Sequence, residues 1–146
     1  MFGTKIVCEQ CGRKVKEKQS IYLRGSRFCG EPCIASWQAI NPPPTATGSV
    51  ETLRPELTTL LDQALAESSR RRFYQSGSQF EVDEVQAAFT QFQSYVLRAA
   101  PIMRALGFSD AASLVDSFDF QVAWNDGFIQ FDVRLLHALR AVRQAL

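Results

Sequence analysis

The sequence lacks the features that define several large classes of protein. No run approaches the roughly 18 consecutive apolar residues of a membrane-spanning helix. The first residues, MFGTKIVCEQCGRK, lack the basic start and apolar stretch of a signal peptide, so we expect a cytoplasmic protein without a membrane partner. Only 8 of the 146 residues are glycine and 6 are proline, which excludes a collagen-like chain. With 46% hydrophobic residues and a net charge of +1, the chain is also too apolar for disorder along its whole length.

Residues with common catalytic chemistry are scarce. The one histidine, His137, lies in the apolar run LLHALR, where a partly buried helix residue is a better interpretation than a base or ligand. No serine–histidine–acid arrangement, glycine-rich phosphate loop or HExxH motif occurs. A hairpin could gather four aspartates, but their spacing does not define a catalytic pair; they are Asp116, Asp119, Asp126 and Asp132. We therefore expect no enzymatic activity, and an enzyme with an unfamiliar site is the least favoured alternative.

All four cysteines fall near the start of the chain, in the spacing C-x2-C-x17-C-x3-C; they are Cys8, Cys11, Cys29 and Cys33. Without a secretion signal the thiols should stay reduced, so disulfides are the weaker interpretation. Two close pairs joined by a short spacer can place four thiolates around a tetrahedral Zn²⁺. Four thiolates leave no open coordination position, so we predict one structural zinc ion. The alternatives are four unrelated reduced cysteines or an iron–sulfur cluster.

The residues around the cysteines predict short local elements. Gly12 allows a tight turn after the first pair, and KVK, SIYL and SRF are typical of short strands with a turn at Gly25-Ser26. Pro32 suits the first turn of a helix that contains Cys33 and ends before Asn41. The predicted order is therefore knuckle, hairpin, helix.

This order resembles the treble-clef zinc modules, and more narrowly the CxxC…FCxxxC type of the TRASH-like and MYM-like fingers. The resemblance covers about residues 4–40 and is carried by Cys8-Glu9-Gln10-Cys11-Gly12, Phe28-Cys29-Gly30-Glu31-Pro32-Cys33 and Trp37. Longer family members carry further ligands, whereas this sequence supports one four-thiolate site. The resemblance implies a role in protein or nucleic-acid contacts.

The whole chain is predicted to be α+β, in two parts. We place a zinc-binding module at residues 1–41, a proline-rich linker at 42–54 and a mainly helical domain at 55–146. The linker begins with three consecutive prolines, which cannot continue a helix. A module of about 40 residues cannot bury enough apolar surface to fold alone, which structural zinc would remedy.

Apolar periodicity predicts the helices of the second part. One helix begins near Pro55 with the stripe Leu57, Leu60, Leu61, Ala64 and Leu65. A second follows a capping box at Ser78 and Glu81, with a stop or kink at Pro101 and an end at Gly107. A short helix runs from Ser109 to about Asp116, and the last runs from roughly Arg134 to the end. Residues 118–133 fit a β-hairpin around Asn125-Asp126-Gly127, with a helix as the alternative.

Charge is distributed unevenly between the two parts. Residues 1–41 carry seven basic and three acidic side chains, whereas residues 42–146 carry nine basic and twelve acidic ones. If the strands form, Lys14, Lys16 and Lys18 project from one face, which could attract phosphates. The candidate contacts to nucleic acid or another anionic partner are Arg13, Lys14, Lys16, Lys18, Tyr22, Arg24 and Arg27. A solvated polar face is the simpler alternative.

These observations favour a non-enzymatic zinc-binding recognition protein. We expect a protein-interaction or regulatory adaptor, with a protein partner or self-association. A nucleic-acid-binding protein that uses the basic zinc module is the alternative.

Overall fold

The computed structural model describes residues 4–68, 79–120 and 133–146. These residues form four short strands, one 3-10 turn and five α-helices, which confirms the predicted α+β class. The strands are β1 (Lys5–Val7), β2 (Lys14–Lys16), β3 (Ile21–Leu23) and β4 (Ser26–Phe28). The helices are α1 (Glu31–Ile40), α2 (Val50–Ser68), α3 (Gln79–Ala105), α4 (Ser109–Ser117) and α5 (Val133–Ala145). Within the described ranges, no helix is both long and apolar enough to cross a membrane.

The chain divides into two compact units. The first contains Met1–Pro44 together with Asp116–Asp119, and the second contains Thr45–Val115 together with Phe120–Leu146. The short segment Asp116–Asp119 thus joins a unit whose other residues lie more than seventy positions earlier in the sequence. No local sequence pattern indicates that assignment.

The first hairpin of the first unit pairs β1 with β2 in antiparallel register. Lys5 lies opposite Lys16, Ile6 opposite Val15 and Val7 opposite Lys14. The sequence predicted β2 but not β1. The 3-10 turn Glu17–Gln19 follows β2 and contains Lys18. The prediction that Lys18 shares a strand face with Lys14 and Lys16 is therefore wrong. The backbone N–H of Glu17 bonds the carbonyl of Thr4, which closes the hairpin and ends the strand at that point.

The second hairpin pairs β3 with β4 through a two-residue turn. Its turn is Arg24-Gly25, one residue earlier than the predicted Gly25-Ser26, because Leu23 pairs with Ser26. Both turn residues have positive φ, 45° at Arg24 and 84° at Gly25. A positive φ at both positions matches the right-handed twist of a tight hairpin, but it is costly for a residue with a side chain. Arg24 is held there by contacts described below.

Helix α1 and the second hairpin enclose a very small core. As predicted, Pro32 lies in the first turn of α1 and the helix ends before Asn41. The Asn41 N–H bonds the Trp37 carbonyl at 2.8 Å at this end. The buried residues here are Cys8, Phe28 and Ile34. The Phe28 and Trp37 rings pack 5.1 Å apart and join hairpin to helix. Three buried residues make a core too small for ordinary folding without a further constraint.

The second unit begins with α2 earlier than the sequence predicts. This helix starts at Val50, and Pro55 lies inside it instead of in its first turn. The backbone N–H groups of Thr52 and Leu53 bond the Ser49 carbonyl and start the helix there. Leu53 explains the difference, because its side chain is only 5% exposed and extends the predicted apolar stripe by one turn.

Helix α3 continues through Pro101, where the sequence allowed a stop or a kink. Its last residue is Ala105, and Gly107 two residues later has a φ of 92°, which glycine readily adopts. Two bonds close the end: Phe108 N–H to the Met103 carbonyl at 2.8 Å and Gly107 N–H to the Arg104 carbonyl at 3.2 Å. This pair of bonds is a Schellman motif, and it confirms the predicted end of the helix. The predicted capping residue Ser78 lies outside the described residues.

Helices α4 and α5 match their predicted ranges to within about one residue at each described end. The core of this unit includes aromatic packing of Phe120 against Phe89 and Phe92, with ring centroids 6.1 and 6.3 Å apart. An ion pair joins α5 to α2, with Arg143 Nε 2.7 Å from Asp62 Oδ1. The predicted hairpin at residues 118–133 lies almost wholly outside the described residues, since only 118–120 and 133 are described.

Candidate metal centre

The sulfur atoms of Cys8, Cys11, Cys29 and Cys33 all lie within 4.8 Å of one another. The Cys11 and Cys29 sulfurs are 3.6 Å apart, and the Cys29 and Cys33 sulfurs are 3.4 Å apart. A tetrahedral ion with bonds of about 2.3 Å requires neighbouring sulfurs about 3.8 Å apart. The four side chains could therefore hold one metal ion with only small adjustments.

Each cysteine is positioned by a different structural element. Cys8 follows β1, and Cys11 lies in the tight turn that leads back towards β2. Gly12 makes this turn possible, because its φ is 77° and its N–H bonds the Cys8 carbonyl at 3.0 Å. Cys29 follows β4 directly, and Cys33 lies in α1.

A backbone hydrogen bond brings the two halves of the site together. The N–H of Glu9, next to Cys8, bonds the carbonyl of Arg27, two residues before Cys29, at 3.0 Å. The Cys8 N–H also bonds the Arg13 carbonyl at 2.8 Å, which closes the loop that carries Cys11. The sulfurs therefore converge because the backbone around them is hydrogen-bonded.

The electrostatics of the cluster suit a bound cation. Burial raises the pKa of the Cys8 thiol, but backbone hydrogen bonds from Cys11, Cys29 and Gln10 outweigh it and lower this pKa to about 6. The pKa of the Cys33 thiol is raised to about 12, first by its hydrogen bond with Cys29 and then by burial. One thiolate thus forms easily, whereas further negative charge is unfavourable unless a metal cation compensates it.

The cysteines also differ in accessibility. Cys8 is only 1% exposed, Cys29 and Cys33 are partly buried, and Cys11 is exposed. All four are free thiols in the structure. A metal ion bound here would be shielded from solvent on the side of Cys8 and accessible to solvent on the side of Cys11.

Three of the predicted anion contacts are engaged within the first unit. The Arg24 guanidinium lies 4.7 Å from the centre of the Trp37 ring and donates to the Pro42 carbonyl at 3.1 Å. The Arg27 guanidinium lies 5.6 Å from the centre of the Tyr22 ring. Burial, and to a smaller extent the charge of Asp119, raises the pKa of the Tyr22 phenol. These side chains support the second hairpin.

Arg27 is the centre of a small charged network. It forms an ion pair and hydrogen bond with Asp119, lies 3.8 Å from the Glu17 carboxylate and donates to the Ser20 hydroxyl at 3.0 Å. The Arg24 backbone N–H also bonds the Asp116 carbonyl at 2.8 Å. The second hairpin therefore holds the segment Asp116–Asp119.

The other four predicted contacts, Arg13, Lys14, Lys16 and Lys18, are exposed. Lys5, which the sequence did not single out, joins them because β1 pairs with β2. Its position opposite Lys16 could have been found only by recognising KIV as a strand.

The histidine and the aspartates considered in the sequence are not part of the cysteine cluster. His137 is exposed on α5, not partly buried as expected. Asp119 pairs with Arg27, while Asp126 and Asp132 lie outside the described residues. Among the described residues, the four cysteines form the cluster that could hold a metal.

Comparison with known proteins identifies no relative. No protein-family model matches the chain, and neither do any of the curated proteins or solved structures compared with it.

Proposed function

We propose that the chain is a non-enzymatic zinc-binding recognition protein, in which one structural Zn²⁺ stabilises a treble-clef-like module that contacts a protein partner. The observation that supports this most directly is the convergence of four cysteine sulfurs within 4.8 Å. A complete set of four thiolates leaves no coordination position for substrate, so the ion would serve the fold.

The size of the core supports a structural role for the metal. Cys8, itself a ligand candidate, is one of only three buried residues in the described cluster of this unit, with Phe28 and Ile34. Metal binding would thus add its free energy to folding where burial of apolar surface supplies little. Cys8 would act both as a ligand and as part of the core.

The spacing of the sulfurs favours a single ion over an iron–sulfur cluster. A cluster inserts several irons and bridging sulfides between its cysteine ligands and holds their sulfurs further apart than one ion does. The separations of 3.4 and 3.6 Å match a mononuclear site more closely. Zinc is the ion that proteins commonly bind with four thiolates for structure.

The resemblance to treble-clef fingers of the TRASH-like and MYM-like type supports a recognition role. In the structure the CxxC turn, the second hairpin and the helix follow in the order of such a module. Cys33 lies in the first turn of α1, where that arrangement would place the last ligand. The adaptor function rests on this resemblance and on the exposed charge of the first hairpin.

The test is retention of a partner by the zinc-loaded chain. The immobilised chain, Cys29→Ser and chain treated with chelator would be exposed to the same cell extract, with and without nuclease. We expect a protein that is retained by the wild-type chain, survives nuclease treatment and is lost in the other two preparations. Retention of nucleic acid alone would overturn the adaptor function in favour of nucleic-acid binding, and equal retention by all three would show that the zinc module is not the binding surface.

A further inference from the structure

The first hairpin presents a compact face of lysines. Side chains alternate across a strand, so Lys5 and Val7 of β1 share a face with Lys14 and Lys16 of β2. All four side chains are exposed, and the burial pattern of each strand is exposed, intermediate, exposed. Ile6 and Val15 occupy the opposite face. We call the four residues the lysine face.

The lysine face is electrostatically unfavourable by itself. Lys5 lies directly opposite Lys16, and like charges in this position destabilise a strand pair. Two of the described carboxylates of the unit, Glu17 and Asp119, interact with Arg27 and not with these lysines. Across residues 4–68, 79–120 and 133–146, none of the three lysine ammonium groups forms an ion pair or hydrogen bond.

We propose that the lysine face binds an extended acidic segment of a partner protein, with acidic side chains at alternating positions. This deepens the proposed function, on which it rests, by naming the surface and the chemistry of the partner. Charge complementarity supports it, because three exposed lysines share one face of the hairpin with one exposed apolar side chain, that of Val7.

The geometry of the strands supports the alternating pattern. Residues two apart in an extended strand are about 6.8 Å apart, which is the spacing of Lys14 and Lys16. Carboxylates at alternating positions of an extended peptide repeat at the same distance. Such a peptide can therefore place one acidic group at Lys14 and the next at Lys16 without bending, with Lys5 on the neighbouring strand opposite Lys16.

Apolar contact favours a protein segment over nucleic acid. Val7 lies opposite Lys14 on the lysine face and is 56% exposed, so a small apolar side chain of a peptide can cover it. Single-stranded nucleic acid is bound instead by aromatic side chains on which bases stack. The first aromatic residue after the hairpin, Tyr22, is packed against Arg27 and is not among the lysine-face residues.

The test measures binding of defined probes to the zinc-loaded full chain by fluorescence anisotropy at low salt. The probes are a peptide of alternating aspartate and threonine, a peptide of the same composition with its aspartates in one block, and an oligothymidylate of equal charge. The variant Lys5→Gln/Lys14→Gln/Lys16→Gln removes the lysine charges. The control variant Arg54→Gln/Arg98→Gln/Arg140→Gln removes the same charge from exposed positions of the second unit.

We expect the alternating peptide to bind best, and the lysine variant to weaken its affinity about tenfold, as expected for three exposed ion pairs. The control variant should change affinity less than about twofold, since it leaves all three lysines of the lysine face in place. If the triple variant loses zinc, Lys14→Gln/Lys16→Gln leaves β1 unchanged and should still weaken binding several-fold.

Four results would overturn the inference: no binding of either peptide, equal binding of the two peptides, tighter binding of the oligothymidylate, or equal weakening by both variants. Such failure does not affect the proposed function, because retention of a partner from extract is measured separately and can depend on another surface.

Discussion

Arg27 and Asp119 form an ion pair between residues 92 positions apart in the sequence. Both side chains are largely buried, with exposed fractions of 20% and 17%. Because Arg27 precedes the ligand candidate Cys29 by two residues on the same hairpin, this pair supports the backbone that carries half of the metal site.

Replacing Asp119 with Asn should therefore weaken metal retention without removing a ligand. A lost charged hydrogen bond at a largely buried site costs about 1.5–3 kcal/mol, so we expect zinc transfer to a chelator to accelerate roughly tenfold or more. The rate is measured with a chromogenic chelator. Glu56→Gln is the control, because it removes one exposed carboxylate from α2. Equal rates for the two variants would contradict the role of the ion pair.

Tyr22 should ionise above the usual pKa of 10, because burial and the charge of Asp119 both disfavour the phenolate. A raised pKa means that the folded state favours the neutral phenol. The stabilisation is thus complete below pH 10 and is lost as the pH rises through the folded-state pKa.

Absorbance titration of the wild-type chain and Tyr22→Phe isolates this group by difference. In Asp119→Asn the pKa of Tyr22 should move down, because a nearby negative charge is gone. Ionisation of Tyr22 at or below pH 10 in the wild-type chain would show that the phenol is not buried beside Asp119 as described.

Replacement of Leu53 tests whether the first turn of α2 packs into the core of the second unit. If the helix starts at Val50, Leu53→Ala removes a buried side chain and should lower the free energy of unfolding by about 2–5 kcal/mol. Leu97→Ala is the matched control, because Leu97 is 47% exposed and should change stability by less than about 0.5 kcal/mol. Both are measured by denaturant unfolding. A Leu53 effect as small as that of Leu97 would contradict the burial of Leu53 in the core of the second unit.

The parts of the structure that sequence predicts well are those with local causes. The cysteine spacing, the helical stripe from Leu57 and the glycine stop at Gly107 depend on residues a few positions apart, and each corresponds to an observed feature. The prediction that Pro55 lies in the first turn of its helix is wrong, because the packing of Leu53 extends the helix by one turn before it. This packing outweighs the preference of proline for the first turn.

Features with distant causes had no signal in the sequence. The contact of Arg27 with Asp119 joins residues that no periodicity relates. The turn at Arg24 needs positive φ at an arginine, and the contacts with Trp37 and the Asp116 carbonyl hold it there. Strand β1 is defined by its pairing with β2, which its own three residues do not reveal.

Cys29→Ser tests whether the metal stabilises the first unit alone. Loss of one ligand should unfold that unit, while the second unit keeps its helices, because its core contains none of the cysteines. Far-UV circular dichroism reports mainly on the long helices α2 and α3, and the side-chain NMR signals of Trp37 report on the first unit. Ser26→Ala, in the same hairpin, is the control and should leave both signals unchanged. Collapse of both units in Cys29→Ser would contradict their independent folding.

The most direct test of the central claim is elemental analysis of the freshly purified, reduced chain. Four converging thiolates that close one tetrahedral site predict one zinc per chain, lost together with the fold of the first unit when a chelator removes it. Less than about one metal per chain, or iron with inorganic sulfide in place of zinc, would contradict the account.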